Sequence, residues 1–116
     1  MIKLKMDWLY NSIMKGFIGT TIAPFILYKK SYIDLLSEDE QAEFWNHEKI
    51  HLKQQYELLI LGFYILYFYY YLKNRKNGMS KSAAYTNNPF ELEANDHEAN
   101  PNYISNRKHY AWKQYR

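Results

Sequence analysis

The stretch His47-Glu48-Lys49-Ile50-His51 decides how the rest of the chain is interpreted, because it carries a metal-ligand pattern inside a predicted helix. Two histidines four residues apart project from one face of an α-helix, where both imidazoles can bind one tetrahedral metal ion. Glu48 lies beside the first of them and can accept a proton from a metal-activated water. The motif H-E-x-x-H therefore predicts two metal ligands and a general base, and it requires a third ligand from elsewhere in the chain.

The alternative interpretation of this motif is structural. His47 and His51 would then be solvated or capped side chains on an ordinary amphipathic helix. The chain contains no cysteine, which excludes disulfides, thiol catalysis and every cysteine-ligated zinc site. Any metal must therefore be held by histidine and carboxylate side chains.

The composition predicts one small folded domain spanning residues 1–116, large enough for a core and too short for two domains. Hydrophobic residues make up 47% of the chain, which excludes disorder as its main state. The net charge of +3 forms no basic stripe, so we expect no binding to nucleic acid. The N-terminal residues do not resemble a cleavable signal peptide, and we expect a cytoplasmic protein.

Hydrophobic periodicity and helix breakers predict the order of the elements. Residues 6–18 carry apolar side chains at helical spacing, and residues 19–30 have the composition of a strand or a bent hairpin. Ser37 and Glu40 form a predicted capping box that begins an active-site helix over residues 38–61. Farther along the chain we predict an aromatic helix over residues 62–73, a glutamate helix over 89–99 and a C-terminal helix over 102–114.

Pro24 interrupts the predicted strand. Because proline cannot donate a ladder hydrogen bond, the strand should lie at a sheet edge or be broken at this residue. An accessible edge beside a metal site is a surface with which an extended peptide substrate can pair. The alternative is a strand that only covers the core.

The run from Leu58 to Leu72 contains fifteen residues without a charge. As a helix it would be about 22 Å long, shorter than the ~30 Å of a bilayer's hydrocarbon core. Five of its residues are tyrosines, whose hydroxyls need polar partners or water. We interpret the run as a buried or interfacial helix, with contact to a membrane surface or a transmembrane span as alternatives.

The third ligand is predicted on the glutamate helix. Asn88 is the expected N-cap and Glu91 the partner in its capping box, which leaves Glu93 as the carboxylate best placed to reach the metal. Two histidines, one glutamate and water form the open coordination of a hydrolytic zinc site. The alternatives are His97, Glu91, Asp96, His109 or no third ligand.

Other polar residues are candidates for supporting roles. Asp96 is the first choice to orient His47 or His51 through the second ring nitrogen, whereas Glu98 is expected on a solvated helix face. A further group of candidates for orienting a ligand or donating a hydrogen bond to a tetrahedral oxyanion comprises His97, Tyr103, Arg107 and His109. Packing or surface roles are the alternative for each of them.

The joint pattern of residues 47–59, H-E-x-I-H-x-x-Q-Q-x-E-L-L, followed by an aromatic helix and then by Asn-Pro-Phe-Glu-Leu-Glu-Ala, resembles a group of small zinc metallopeptidases common in Bacteroidetes. The resemblance covers about residues 19–115. More broadly, the chain is similar to gluzincins and to their minimal single-domain relatives. In gluzincins the third ligand is a glutamate on a second helix, often followed by alanine, and Glu93-Ala94 matches that pattern. His97 stands where an aspartate is usual.

Together, these patterns predict a compact α+β, zincin-like domain that is mostly helical, with a small edge-accessible sheet. The predicted function is a zinc-dependent peptidase that binds one Zn²⁺ through His47, His51 and Glu93, uses Glu48 as general base and acts on a peptide or protein substrate. The alternative is a non-catalytic zinc-binding or partner-binding module, which could also associate with a membrane surface.

Overall fold

A computed structural model describes residues 2–7 and 19–116. Three strands among these residues form a mixed sheet: β1 (Ile2–Lys5), β2 (Gly19–Ile22) and β3 (Phe25–Tyr28). The central strand β3 pairs parallel to β1 and antiparallel to β2, so β2 lies at an edge. The sequence predicted a strand or a bent hairpin over residues 19–30, and the structure has the hairpin, formed by β2 and β3 with Ala23-Pro24 between them. The helix predicted over 6–18 lies almost entirely outside the described residues.

The helices follow the sheet along the chain. They are α1 (Lys30–Ile33), α2 (Glu38–Glu57), α3 (Leu61–Lys76), α4 (Lys81–Thr86), α5 (Pro89–His97) and α6 (Tyr103–Asn106), and a 3₁₀ helix spans Ala111–Tyr115. Together with the sheet, they give the α+β class that the sequence predicted.

Helix α2 begins with the predicted capping box and ends four residues before the predicted boundary. The Ser37 hydroxyl accepts a hydrogen bond from the Glu40 amide, and the Glu40 carboxylate accepts one from the Ser37 amide. At the other end, Leu59 and Ile60 both have positive φ values, of 57° and 64°. Such values are uncommon for residues other than glycine, so no residue type at these positions marks the break between α2 and α3.

The C-terminal helix predicted over residues 102–114 is not continuous. Its first part is α6, after which Arg107 adopts an extended conformation and Tyr110 a left-handed one. The Arg107 side chain contacts Glu57 and Glu93, while the Tyr110 amide donates to Glu57. These tertiary contacts hold the backbone in a shape that a single helix could not adopt.

Two side chains of α2 hold α5 against it. The Asn46 amide donates to the carbonyl oxygens of His97, Glu98 and Asn100, which satisfies acceptors at the end of α5. The Gln54 amide donates to the Phe90 carbonyl at the other end. The two helices therefore run antiparallel, and their relative rotation is fixed by hydrogen bonds as well as by packing.

Aromatic packing closes the far side of α5. Phe63, Phe90 and Trp112 form a buried cluster, in which the ring centroids of Phe90 and Trp112 are 4.7 Å apart.

Among the described residues, every helix is too short or too polar to span the hydrocarbon core of a bilayer.

Candidate metal centre

Three side-chain atoms from α2 and α5 meet at one point. The Nε2 atoms of His47 and His51 are 3.1 Å apart, and Glu91 Oε1 lies 3.1 Å from the former and 3.0 Å from the latter. The two histidines are one turn apart on α2, as their spacing predicted, and Glu91 lies in the first turn of α5. This group of residues could hold a metal ion.

The donor set fits a small divalent cation. Two ligands that each lie ~2.0–2.1 Å from a tetrahedral zinc ion are ~3.3 Å apart, which is within a few tenths of an ångström of the observed separations. Two imidazole nitrogens and one carboxylate oxygen leave a fourth position open. A closed structural site would instead surround the ion with four protein ligands.

The charges around the two imidazoles also favour a cation. Burial lowers the pKa of His47, but hydrogen bonds to Glu91 and Glu98 and the charge of Glu48 outweigh burial and raise it to about 10. Burial raises the pKa of Glu91, but the charges of the histidines and their hydrogen bonds hold it well below its usual range. In the absence of a metal, a proton on His47 therefore supplies positive charge beside Glu91.

Gln54 fixes which nitrogen of His51 faces the centre. Its amide nitrogen donates to the Phe90 carbonyl and to Glu93, so its oxygen is the acceptor that lies 2.7 Å from His51 Nδ1. His51 must then carry a proton on Nδ1, which leaves Nε2 as the ring nitrogen that faces Glu91 and His47 and can ligate a metal.

Glu98 has the corresponding role for His47. Its Oε1 atom lies 3.3 Å from His47 Nδ1, so the carboxylate can accept that ring proton. The sequence assigned this role to Asp96 and placed Glu98 on a solvated face, and both predictions are corrected. Asp96 is exposed and accepts a hydrogen bond from the Tyr115 hydroxyl instead. The signal in the sequence was the seven-residue spacing of Glu91 and Glu98, two helical turns on one face.

The prediction of Glu93 as the third ligand is also corrected, since Glu91 meets the histidines. The Asn88 amide, which the Glu91 carboxylate would accept from in a capping box, donates to the Tyr85 carbonyl instead, so the carboxylate is available for the histidines. Its second oxygen accepts a 2.9 Å hydrogen bond from the Tyr67 hydroxyl, which restricts rotation of the carboxylate.

Glu93 points to the opposite side of α5 and is fully buried. Its carboxylate is bound by Arg107 at 2.6 and 3.0 Å, by Tyr103 at 2.6 Å and by Gln54 at 2.9 Å. These bonds use both oxygens and hold the carboxylate away from the histidines. The Arg107 guanidinium also contacts Glu57 at 2.9 Å, which makes it a buried cation between two carboxylates.

Glu48 is held beside the centre by the edge strand. The Thr21 hydroxyl lies 2.7 Å from Glu48 Oε2 and fixes the orientation of the carboxylate. The backbone of Gly19 packs closely against the Phe44 and Glu48 side chains of α2. A Cβ atom at Gly19 would overlap the Phe44 ring and lie 3.1 Å from Glu48 Oε1. A residue without a side chain is therefore required where β2 crosses α2.

The candidate metal centre opens into a cavity of about 1300 Å³. Its wall includes Glu48, the residues Gly19–Thr21 of β2, and many aromatic rings: Tyr32, Phe44, Phe63, Tyr64, Tyr67, Phe68, Tyr71 and Tyr85. The outer edge of β2 is partly occupied, because the Thr21 carbonyl accepts hydrogen bonds from Gln55 and Tyr64. Gly19 and Thr20 precede this carbonyl on the same strand and also line the cavity.

The four candidates for orienting a ligand or stabilising an oxyanion lie away from this cavity. Tyr103 and Arg107 are bound to Glu93, and His109 is exposed beside Glu57. The ring of His97 stacks on Tyr103 with centroids 3.8 Å apart, outside the cavity wall. These predictions are therefore corrected: His97, Tyr103 and Arg107 contact α5 or the C-terminal segment, and His109 is a surface residue.

Tyr85, like Thr21, Gln54 and Tyr67, contributes to the site although the sequence did not predict a role for it. It lines the cavity, and burial together with the nearby Glu91 carboxylate raises its pKa, so its hydroxyl keeps its proton. No local motif marks it, because α4 is a short helix whose approach to Glu91 is set by tertiary packing.

Comparisons of the chain with protein-family models, curated proteins and solved structures find no match.

Proposed function

We propose that this chain is a zinc-dependent peptidase in which His47, His51 and Glu91 hold the metal and Glu48 is the general base. The observation that carries the proposal is the convergence of three ligand atoms beside a buried carboxylate that belongs to the same H-E-x-x-H helix. A zinc ion bound there would supply Lewis-acid chemistry, lowering the pKa of a water molecule and polarising a carbonyl group.

Glu48 would move the proton in this reaction. Its carboxylate accepts a proton from the attacking water and then delivers it to the leaving amine. The Thr21 hydroxyl bound to Oε2 keeps the carboxylate in one orientation, which leaves Oε1 as the atom that exchanges the proton. The base is therefore pre-positioned by the edge strand.

The substrate would enter as an extended peptide beside β2. Because Gln55 and Tyr64 already occupy the Thr21 carbonyl, main-chain pairing is restricted to the Gly19–Thr20 part of the strand. The aromatic wall of the cavity favours apolar side chains next to the bond that is cleaved. Tyr85, whose hydroxyl is protonated, would donate a hydrogen bond to the oxyanion.

The test combines metal analysis with a peptide-library assay on the purified full chain. The wild-type chain should bind one zinc ion and cleave library members, and Glu48→Gln should keep the metal and lose turnover. Glu91→Gln should lose the metal. Glu43→Gln, which removes another carboxylate from the cavity wall, is the matched control and should change neither property.

Metal bound by the wild-type chain without turnover of any library member would support the non-catalytic zinc-binding module instead. Retention of zinc by Glu91→Gln with wild-type affinity would contradict the ligand set.

A further inference from the structure

One face of α3 is apolar and exposed along its whole length. Leu61, Ile65 and Phe68 are 69%, 61% and 61% exposed, and Leu72 is 48% exposed. Their spacing of three and four residues aligns them in one stripe, which we name the α3 face. From Leu61 to Leu72 the stripe is ~16 Å long, and it forms a contiguous apolar surface of the kind that marks an interaction site.

The α3 face ends in positive charge. Arg75 and Lys76 follow Leu72 by three and four residues, so they continue the same stripe, and Lys73 lies beside it. Residues 61–76 contain no aspartate or glutamate. The face therefore combines apolar side chains with cations that have no acidic partner on the helix.

We propose that the α3 face docks on an anionic lipid surface, with the helix axis in the plane of the interface. The apolar stripe would enter the boundary between headgroups and acyl chains, while Arg75, Lys76 and Lys73 contact anionic headgroups. Tyr69, at 54% exposed, flanks the stripe and suits an interface in which one end of the side chain is apolar and the other is wet. The proposal does not depend on the peptidase activity.

The charges favour a lipid surface over a second copy of the chain. Parallel pairing of two α3 faces would bring the cations of both copies together. Antiparallel pairing would place the cations of one copy beside Leu61 of the other. The carboxylate near Leu61 is that of Glu57, which is already bound to Arg107. An anionic lipid surface supplies a counter-charge for the cations and an apolar layer for the stripe.

The α3 face borders the cavity. Phe68 belongs both to the α3 face and to the cavity wall, to which Tyr64 and Tyr71 of the same helix also contribute. Docking would therefore place the candidate metal centre close to the lipid surface.

The experiment is co-sedimentation of the purified full chain with vesicles. One set is phosphatidylcholine alone, and the other contains about one third phosphatidylserine. Leu61→Gln/Ile65→Gln tests the apolar stripe at two exposed positions that do not line the cavity. Arg75→Gln/Lys76→Gln tests the charges, and Lys53→Gln/Lys108→Gln is the control with the same change in net charge. Leu35→Gln removes another highly exposed leucine as the apolar control.

The wild-type chain should bind the anionic vesicles, and the binding should weaken as salt is added. Both α3 double variants should bind about tenfold or more weakly, while both controls bind as the wild type. Circular dichroism melting would show that all variants are folded. The proposal is overturned if the wild type binds neither vesicle, or if the α3 variants bind as well as their controls. It is equally overturned if sedimentation shows a dimer that Leu61→Gln/Ile65→Gln dissociates and no vesicle binding.

Discussion

The Gln54 amide donates a 2.9 Å hydrogen bond to Glu93, and this contact connects the candidate metal centre to a buried ion pair. Glu93 is bound on its other side by Arg107, and Gln54 accepts the Nδ1 proton of His51. A chain of hydrogen bonds therefore runs from the Arg107 guanidinium to a candidate ligand. Glu93 contributes to the site by orienting Gln54.

Replacing Gln54 should weaken zinc binding. Gln54→Met removes the acceptor of the His51 Nδ1 proton at similar side-chain volume, so the affinity for zinc should fall by about 10–100-fold. Isothermal titration with zinc measures the change, and ¹⁵N spectra of the metal-free protein report the tautomer of His51. Gln55→Met is the matched control, since Gln55 is equally buried but contacts Thr21 and Ala23. Equal zinc affinities in the two variants would contradict the orienting role.

Replacing Arg107 should destabilise the fold. Arg107→Met leaves the carboxylates of Glu57 and Glu93 buried without their cation, and breaking such a pair costs about 3–5 kcal/mol. Urea denaturation of the metal-free protein measures the free energy of unfolding. Lys108→Met, at an exposed neighbouring position, should change it by less than about 0.5 kcal/mol. A similar small effect for Arg107→Met would show that the buried pair contributes little.

Zinc binding should weaken as the pH falls. In the metal-free protein the pKa of His47 is raised from 6.5 to about 10, so His47 carries a proton at neutral pH that zinc must displace. The apparent affinity should therefore rise with pH up to about 10. Titrations in buffers of different ionisation enthalpy would measure the released protons. Affinity independent of pH from neutral to alkaline conditions would be inconsistent with a protonated His47.

Removing the Tyr85 hydroxyl should slow catalysis if the proposed peptidase activity is present. Tyr85→Phe removes a donor for the oxyanion, and the loss of one such donor lowers kcat by about 10²–10³-fold. Zinc content should be unchanged, because Tyr85 is not among the three ligand atoms. Tyr32→Phe, which also lines the cavity, is the control. Equal kcat values for both variants would exclude Tyr85 from the reaction.

The sequence by itself determined the features that depend on local spacing. The positions of His47, Glu48 and His51 on one helix follow from the periodicity of the helix and from the Ser37 capping box. The hairpin around Pro24 follows from strand composition and from the missing amide proton. None of these requires knowledge of distant contacts.

Only the tertiary structure decided which glutamate meets the histidines. Glu91 and Glu93 are two residues apart and therefore point about 200° apart around α5, and either face could have been turned toward α2. The hydrogen bonds of Asn46 and Gln54 to the α5 backbone fix that rotation, and Arg107 holds Glu93 on the opposite side. Asn46 and Gln54 lie 52 and 36 residues from the backbone groups that they bind, and Arg107 approaches from the far side of α5. No local sequence pattern could therefore reveal these contacts.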